Sequence, residues 1–265
     1  MDLGLRDRAC IVTGASEGIG RRTAVRLAAE GSAVLLAARR GEALERAAAA
    51  CREAGGRAEI LALDITAADA GERLLEACLE RFGRVDGLVN NAGTSSARSL
   101  EELTDEDWQA QWDLHVMAPM RLMRALAPAM AERGWGRIVN VSSSSGKRPG
   151  QRNIAYSVTK AAELSLSRAF ADYYADRAVL VNSITPGPVG TELWLGPGGL
   201  ADQVAEAQGK TRDEVLESVA RGVPQGRFGT DDEMAAVVVF LCSELASYVT
   251  GAAWSVDGGA VPVII

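Results

Sequence analysis

Histidine is almost missing from these 265 residues: His115, in the stretch WDLHVMAPM, is the only one. A single imidazole leaves little from which to build a metal site. The four cysteines, at 10, 51, 78 and 242, show neither CxxC nor other ligand-like spacing, so no metal is expected and the thiols read as small core side chains. Lysine is scarce as well, occurring only at 147, 160 and 210, which makes each of its positions informative. The net charge is −7 and no long Lys/Arg run occurs. Nucleic acid and anionic membranes attract basic surfaces, so neither is an expected partner. No segment reaches the roughly 18 consecutive apolar residues of a membrane span, and MDLGLRDRACIVTG carries acids and bases where a secretory signal has an apolar core. The expectation is a cytoplasmic protein that acts on a small molecule.

Apolar residues make up 48% of the chain, enough to bury one large core, and a single domain over 1–265 is expected. Short aliphatic runs alternate with longer segments of helical period, the pattern of βα units around a parallel sheet. Seven strands are expected near Ala9–Thr13, Ala33–Ala38, Ala58–Leu63, Gly87–Asn90, Arg137–Val141, Val179–Ile184 and Ala252–Val256. Helices are expected over Ile19–Glu30, Glu42–Ala54, Ala67–Phe82, Asp105–Arg133, Tyr156–Tyr174 and Asp231–Ser243. Residues 187–229 break the rhythm, first with the Gly/Pro-rich TPGPVGTELWLGPGG and then with a charged helical run. An insertion after a strand's carboxyl end is where an open α/β sheet carries a cover for its substrate.

The first strand runs into TGASEGIG, where Gly14, Gly18 and Gly20 stand between strand and helix. Glycine lets the backbone turn tightly and approach a pyrophosphate, while the helix N-terminus offers unpaired N–H groups and a partial positive charge. Tyr156 and Lys160 are four residues apart on an expected helix and so share a face. A phenol of ordinary pKa near 10 is a poor acid or base at pH 7, and moving such a group by three units takes about 4 kcal/mol. A lysine ammonium about 4 Å away at an effective dielectric of about 20 supplies that much, so the pair reads as self-sufficient. The polar stretch VNVSSSSGKRPGQRNIA precedes it, just after the fifth strand.

Together TGASEGIG (13–20), LDI (63–65), NNAG (90–93), VNVSSSSG (139–146), YSVTK (156–160), VNSITPGPVGT (181–191) and DGG (257–259) resemble, in order and spacing, the short-chain dehydrogenase/reductase family. The resemblance covers nearly the whole chain and implies an α/β, doubly wound Rossmann fold with a seven-stranded parallel sheet and helices on both faces. It implies cofactor contacts from Gly14, Ser16, Gly18, Ile19, Gly20, Asp64, Ile65, Asn91, Ala92, Gly93, Pro186, Gly187, Val189 and Thr191, with Asn90 also on the adenosine ribose side. Tyr156 and Lys160 would touch the cofactor as well. The second strand ends LLAARRGE. Ala38 stands where NAD-preferring members resemble one another in carrying Asp, and Arg39 follows, with Arg40 as a second guanidinium able to grip a 2′-phosphate. NADP(H) is therefore favoured, with NAD(H) the alternative, and Glu17 complicates the choice because an acid there would repel the phosphate.

By the same resemblance the catalytic serine stands thirteen residues before the tyrosine, at Ser143. Tyr156 is then the acid/base in hydride transfer between the nicotinamide and a ketone or secondary alcohol. Lys160 supports the phenol and holds the nicotinamide ribose. The closest substrate class by resemblance is a 3-oxoacyl thioester. A steroid, sugar or other alcohol is the alternative, with Trp194, Leu195, Leu200 and Val204 making the cover apolar. A cofactor-binding sensor without catalysis is the alternative of another class. The family also implies assembly into a homodimer or homotetramer, to which the apolar C-terminus VPVII is suited.

His115 departs from this pattern. Members commonly carry asparagine midway along the fourth helix, seven residues after a tryptophan, and here Trp108 plus seven is His115. The asparagine is thought to bend the helix and continue the proton relay. Three readings remain for the histidine: a neutral imidazole replacing the amide, a spacer whose backbone alone matters, or a titrating shuttle in the catalytic group. Pro119, four residues on, is a second source of a bend.

Overall fold

The computed structural model describes residues 1–262, so the last three residues of VPVII lie outside the described residues. Seven strands form one parallel sheet: β1 (Ala9–Thr13), β2 (Ala33–Ala38), β3 (Arg57–Ala62), β4 (Gly87–Asn90), β5 (Gly136–Val141), β6 (Val179–Pro186) and β7 (Ala253–Val256), in the order β3-β2-β1-β4-β5-β6-β7. Every residue of β1, β4 and β5 is buried. That is why they read as mainly apolar runs without alternation, interrupted only by Thr13, Asn90, Arg137 and Asn140, since helices cover both faces of such a sheet. One core packs Leu27 of α1 (Gly18–Ala29), Leu44 of α2 (Gly41–Glu53) and Val238 of α10 (Asp231–Cys242) against one face. The other packs Leu74 of α3 (Ala70–Phe82), Leu126 of α5 (Ala118–Glu132) and Ala171 of α6 (Ile154–Tyr174) against the opposite face. All four cysteines are buried in these cores, and burial pushes the Cys51 thiol up to about 11. Among the described residues no helix is long and apolar enough to cross a membrane.

The strand order reverses between β1 and β4. The connections leaving those two strands part to opposite faces, which opens a crevice at their carboxyl ends.

The expected helix 105–133 is three pieces. α4 (Asp105–Trp112) starts at Thr104, whose hydroxyl accepts from Asp107 N–H. It passes into a π-helical turn over Asp113–Met117 and resumes as α5. Ala118 N–H donates to the Asp113 carbonyl, five residues back. Pro119 has no N–H to offer the carbonyl of His115 four residues earlier, so the ordinary ladder cannot run through this point. The wider turn carries His115 inward, where it is fully buried.

Residues 187–229 leave and return at one point: Val189 and Gly229 form a parallel bridge, with Gly190 N–H donating to the Gly229 carbonyl at 2.9 Å. Between them lie α7 (Glu192–Leu195), α8 (Leu200–Gln208) and α9 (Arg212–Arg221). Gln203 of α8 ties this segment across the crevice, its carbonyl accepting from Ala97 N–H at 3.0 Å.

Gly71 of α3 sits against α5, which follows the π turn. A Cβ there would lie 2.7 Å from Ala125 Cβ and 3.0 Å from the Arg121 carbonyl oxygen. Helix propensity favours alanine by up to about 1 kcal/mol, but overpacking against a backbone carbonyl costs about 1–3 kcal/mol. Gly71→Ala is therefore expected to destabilise the protein by about 1–2 kcal/mol in urea unfolding. Gly41→Ala, with nothing within 4 Å of the added carbon, is expected to be neutral or slightly stabilising.

Candidate active site

A cleft of about 750 Å³ lies at the carboxyl ends of β1, β4, β5 and β6. Its wall includes Gly14, Ser16, Gly18 and Ile19 from the first turn, then Arg39, Arg40, Asp64 and Ile65. Asn91, Ala92, Gly93, Ser143, Tyr156, Lys160, Pro186, Gly187, Val189 and Thr191 complete the sequence-expected set on that wall. Gly20, Asn90 and His115 do not reach it.

The first and fourth strand ends are held together by one hydroxyl and one amide. Thr13 Oγ1 accepts from Asn91 N–H at 3.0 Å and Ala92 N–H at 3.1 Å. Asn91 Nδ2 donates to the carbonyls of Thr13 and Gly14 at 3.0 and 3.2 Å. Gly20 belongs to this clamp and not to the cleft wall: a Cβ on it would collide with Asn91 Nδ2 and the Gly14 oxygen. Asn90 is likewise internal, donating to Asn140 Oδ1 at 2.8 Å. Gly14 and Gly18 have φ of +62° and +53°, the left-handed region that glycine enters without strain. They fold the loop so that α1 begins at the cleft with its first N–H groups unpaired. The role of Thr13 was not foreseen in the sequence, although a threonine ending a buried strand beside an Asn-Asn turn is the available signal.

At the end of β2 the two arginines differ. Arg40 is ion-paired with Glu17, which neutralises the acid that had complicated the choice of cofactor. Arg39 has no carboxylate partner among the described residues. It stands close enough to Asp64 to help hold that carboxyl below its ordinary range, after the larger effect of the Thr66 N–H and hydroxyl, which both donate to it.

The candidate reacting groups stand just past β5 and on α6. Ser143, in extended backbone just past β5, caps the turn that follows: its Oγ accepts from Ser145 N–H at 3.1 Å. Ser142 is already engaged, its hydroxyl donating to the Lys160 carbonyl at 3.0 Å. Tyr156 is half-buried and Lys160 is buried, with Nζ 5.8 Å from the centroid of the Tyr156 ring. Lys160 Nζ donates to the Val141 carbonyl and to Glu163 Oε2, each at 2.9 Å. Burial alone would lower the pKa of this ammonium, and Glu163 with Tyr156 outweighs it, so the pKa stands above its ordinary value. The spacing had suggested that the Tyr156–Lys160 pair needs no third group, but the ammonium has a further charged partner. That partner, the buried Glu163, is absent from the sequence reading.

His115 lies behind Tyr156, edge-on to the phenol ring with centroids 5.2 Å apart. Thr159 Oγ1 donates to the Tyr156 carbonyl at 2.9 Å, so it accepts from His115 Nδ1, 3.1 Å away. Nε2 then accepts from Thr94 N–H at 3.3 Å. These partners assign the neutral Nδ1–H tautomer. Burial first, and the Lys160 charge second, hold its pKa well below 6.5. As a titrating catalytic group in the cleft, His115 is therefore corrected: it is enclosed, neutral and satisfied at both nitrogens.

Of the apolar cover residues, Trp194 and Leu200 line the cleft together with Leu193, whereas Leu195 and Val204 do not. Polar groups also line the cleft: Ser95, Ser144, Ser145 and Asn153. The Ser95 Oγ is buried without a hydrogen-bond partner.

The family model described as enoyl-(acyl carrier protein) reductase matches residues 14–261. The short-chain reductase protein NovJ of Streptomyces niveus is 38% identical over 255 residues, covering 96% of this chain and 94% of that protein. The 3-oxoacyl-[acyl-carrier-protein] reductase FabG of Thermotoga maritima is 31% identical over 259 residues, 97% of this chain and 99% of that one. L-Sorbose reductase from Gluconobacter frateurii, in complex with NADPH and L-sorbose, superposes with a TM-score of 0.93 at 37% identity over 100% of both chains. With the glycine turn, the Thr13–Asn91 clamp and the Ser143–Tyr156–Lys160 wall in one crevice, these likenesses establish that the chain belongs to the short-chain dehydrogenase/reductase family, an oxidoreductase acting on a carbonyl or alcohol.

Proposed function

We propose that this protein, read as one domain with residues 187–229 as substrate cover, transfers hydride between NADP(H) and a ketone or secondary alcohol. The observation that carries the reading is the convergence of Ser143, Tyr156 and Lys160 on the wall that also holds Gly14, Gly18 and Arg39. The residues fit a phosphorylated dinucleotide. Gly14 and Gly18 present the start of α1, and Arg39 keeps its guanidinium for a 2′-phosphate because Arg40 serves Glu17. Asp64 and Ile65 would flank the adenine, Asn91, Ala92 and Gly93 the ribose side, and Pro186, Gly187, Val189 and Thr191 the nicotinamide end. When bound, the cofactor supplies or takes the hydride. Ser143 Oγ holds the substrate oxygen and favours negative charge on it as the carbonyl opens. Tyr156 Oη gives that oxygen its proton in reduction and takes it back in oxidation. Lys160, charged and buried, favours the phenolate left behind.

A 3-oxoacyl thioester is the substrate class supported by the FabG likeness and by the apolar Leu193, Trp194 and Leu200 of the cover. A small polyhydroxy ketone is a second reading. It is favoured by the unpaired Ser95 hydroxyl and by the full-length likeness to L-sorbose reductase. Apolar side chains exposed on α6 (Val158, Tyr173) and beside or in β7 (Leu245, Trp254) support assembly into a homodimer or homotetramer.

Turnover of a panel of 3-oxoacyl thioesters, ketoses and apolar ketones, followed at 340 nm with NADPH and with NADH, tests this reading directly. Tyr156→Phe is expected to lose about 10²–10⁴-fold in kcat while still binding NADPH. Cofactor binding without turnover across the whole panel would mark a sensor instead. Arg39→Ala is expected to lower kcat/KM for NADPH about 10–100-fold, the value of a hydrogen-bonded charge pair, and to leave NADH unchanged; a wild-type preference for NADH overturns the cofactor assignment. For His115, alanine leaves Thr94 N–H and Thr159 Oγ1 without their partners and is expected to cost about 10-fold in kcat. Asparagine, which keeps a donor and an acceptor, is expected to cost less. Equal, near-wild-type rates for both variants would make the residue a spacer.

A further inference from the structure

Glu163 is 2% exposed and lies three residues beyond Lys160 on α6, with its Oε2 2.9 Å from the lysine Nζ. It does not line the cleft, so neither substrate nor cofactor accounts for a carboxylate there. Burying an anion is costly without a cation beside it, and the same holds for the lysine. Two of the three ammonium hydrogens are committed, one to Val141 O and one to Glu163. The third remains for the cleft, where Lys160 forms part of the wall.

Among the described residues no other carboxylate acts on this ammonium. The charged or titratable groups acting on Lys160 are Glu163 and Tyr156, both on α6, and His115 from the π turn. The last residue of β5 supplies the Val141 carbonyl and the residue after it the Ser142 hydroxyl, and β6 carries no titratable side chain along Val179–Pro186. On α4, Asp107 serves Arg98 and Thr104, and on α5, Arg121 donates to the Thr66 carbonyl.

We propose that Glu163 is a positioning residue for proton transfer: it anchors the Lys160 ammonium, keeps it charged out of reach of water, and so sets the pH range over which Tyr156 exchanges its proton. The proposal rests on the acid/base reading of Tyr156 and Lys160. Without the carboxylate, burial favours the neutral amine, and the charge that favours the phenolate is lost. This orders the outcomes. If Glu163 maintained the charge, its removal would make the phenol harder to ionise. If it merely offset the charge, removal would make the phenol easier to ionise.

The test is an ultraviolet tyrosinate titration of the cofactor-free protein, with Tyr156 isolated by subtracting the matching Tyr156→Phe background. It needs no turnover, so it stands even if the acid/base reading fails on the activity of Tyr156→Phe. In Glu163→Gln the Tyr156 ionisation is expected to move to higher pH by about one unit or more. The acidic limb of the alcohol-oxidation profile is expected to move with it. Glu163→Asp, which keeps the charge and secures a result should the glutamine variant fold poorly, is expected to give a smaller shift in the same direction. Adding Glu163→Gln to Lys160→Met is expected to add nothing, because the glutamate acts through the lysine. An unmoved ionisation in both Glu163 variants, or one moved to lower pH, overturns the proposal.

Discussion

Lys160 carries its charge 3% exposed at the end of β5, held by Glu163 and the Val141 carbonyl. A buried ammonium is tolerated only where its donors are met and an anion stands beside it, and several local features serve that condition. The carbonyl comes from the last residue of β5, so the strand must end there, and Ser143 follows it into the cleft wall. The anion comes from the next turn of α6, so one helix places Tyr156, Lys160 and Glu163 in succession. Ser142 fastens that helix to the strand by donating to the Lys160 carbonyl. Gly146 permits the close approach, since a Cβ on it would lie 2.9 Å from the Lys160 carbonyl oxygen.

In the other half of the cleft the strand ends are joined by neutral groups. Thr13 and Asn91 lace the end of β1 to the end of β4 through four hydrogen bonds, and Gly20 brings α1 against them. Gly187 does the same service at β6: a Cβ there would lie 2.9 Å from Asp257 Cα. The DGG stretch and the PG stretch are therefore two sides of one contact. Motifs far apart in the chain are close-packed backbone here, which is why small residues occupy them. The polar site on one side and the packed loops on the other meet at Gly93, where a Cβ would lie 3.2 Å from His115 Nε2 and 3.8 Å from Lys160 Nζ.

The alternation of buried strands and amphipathic helices was legible because periodicity reports burial directly. All seven strands lie where aliphatic runs predicted them, with shifts of one or two residues at β3, β5, β6 and β7. The motif residues on the cleft wall were legible mainly through the family resemblance, and the residues alone spoke only for the glycine turn and the Tyr156–Lys160 spacing. The break in the fourth helix was legible only in part. Pro119 marks a missing donor, but a sequence does not say whether a helix kinks, ends or widens to a π turn in response. Glu163 was invisible for a different reason. A glutamate at i+3 from a lysine on a helix is ordinarily a solvated pair, and only the depth at which α6 lies against β5 turns it into a buried ion pair. Arg39 was expected as the first phosphate contact and Arg40 as its support, and the Glu17 contact, which the sequence did not pair with either, engages Arg40.

The histidine at 115 shows how these parts constrain one another. A neutral imidazole offers one donor and one acceptor, as an amide does, and here both are used, toward Thr159 and from Thr94. A protonated ring would turn Nε2 into a donor facing the Thr94 N–H, losing that bond and setting two donors against each other. The ring can replace an amide only while it stays neutral, and the two causes of its low pKa are burial and the charge on Lys160. That charge in turn is maintained by Glu163. The ion pair on α6 therefore favours the phenolate of Tyr156 on one side and the uncharged imidazole behind it on the other. Discharging the lysine would remove its support for the phenolate and the smaller of the two causes that keep the imidazole neutral, leaving burial to hold the ring uncharged.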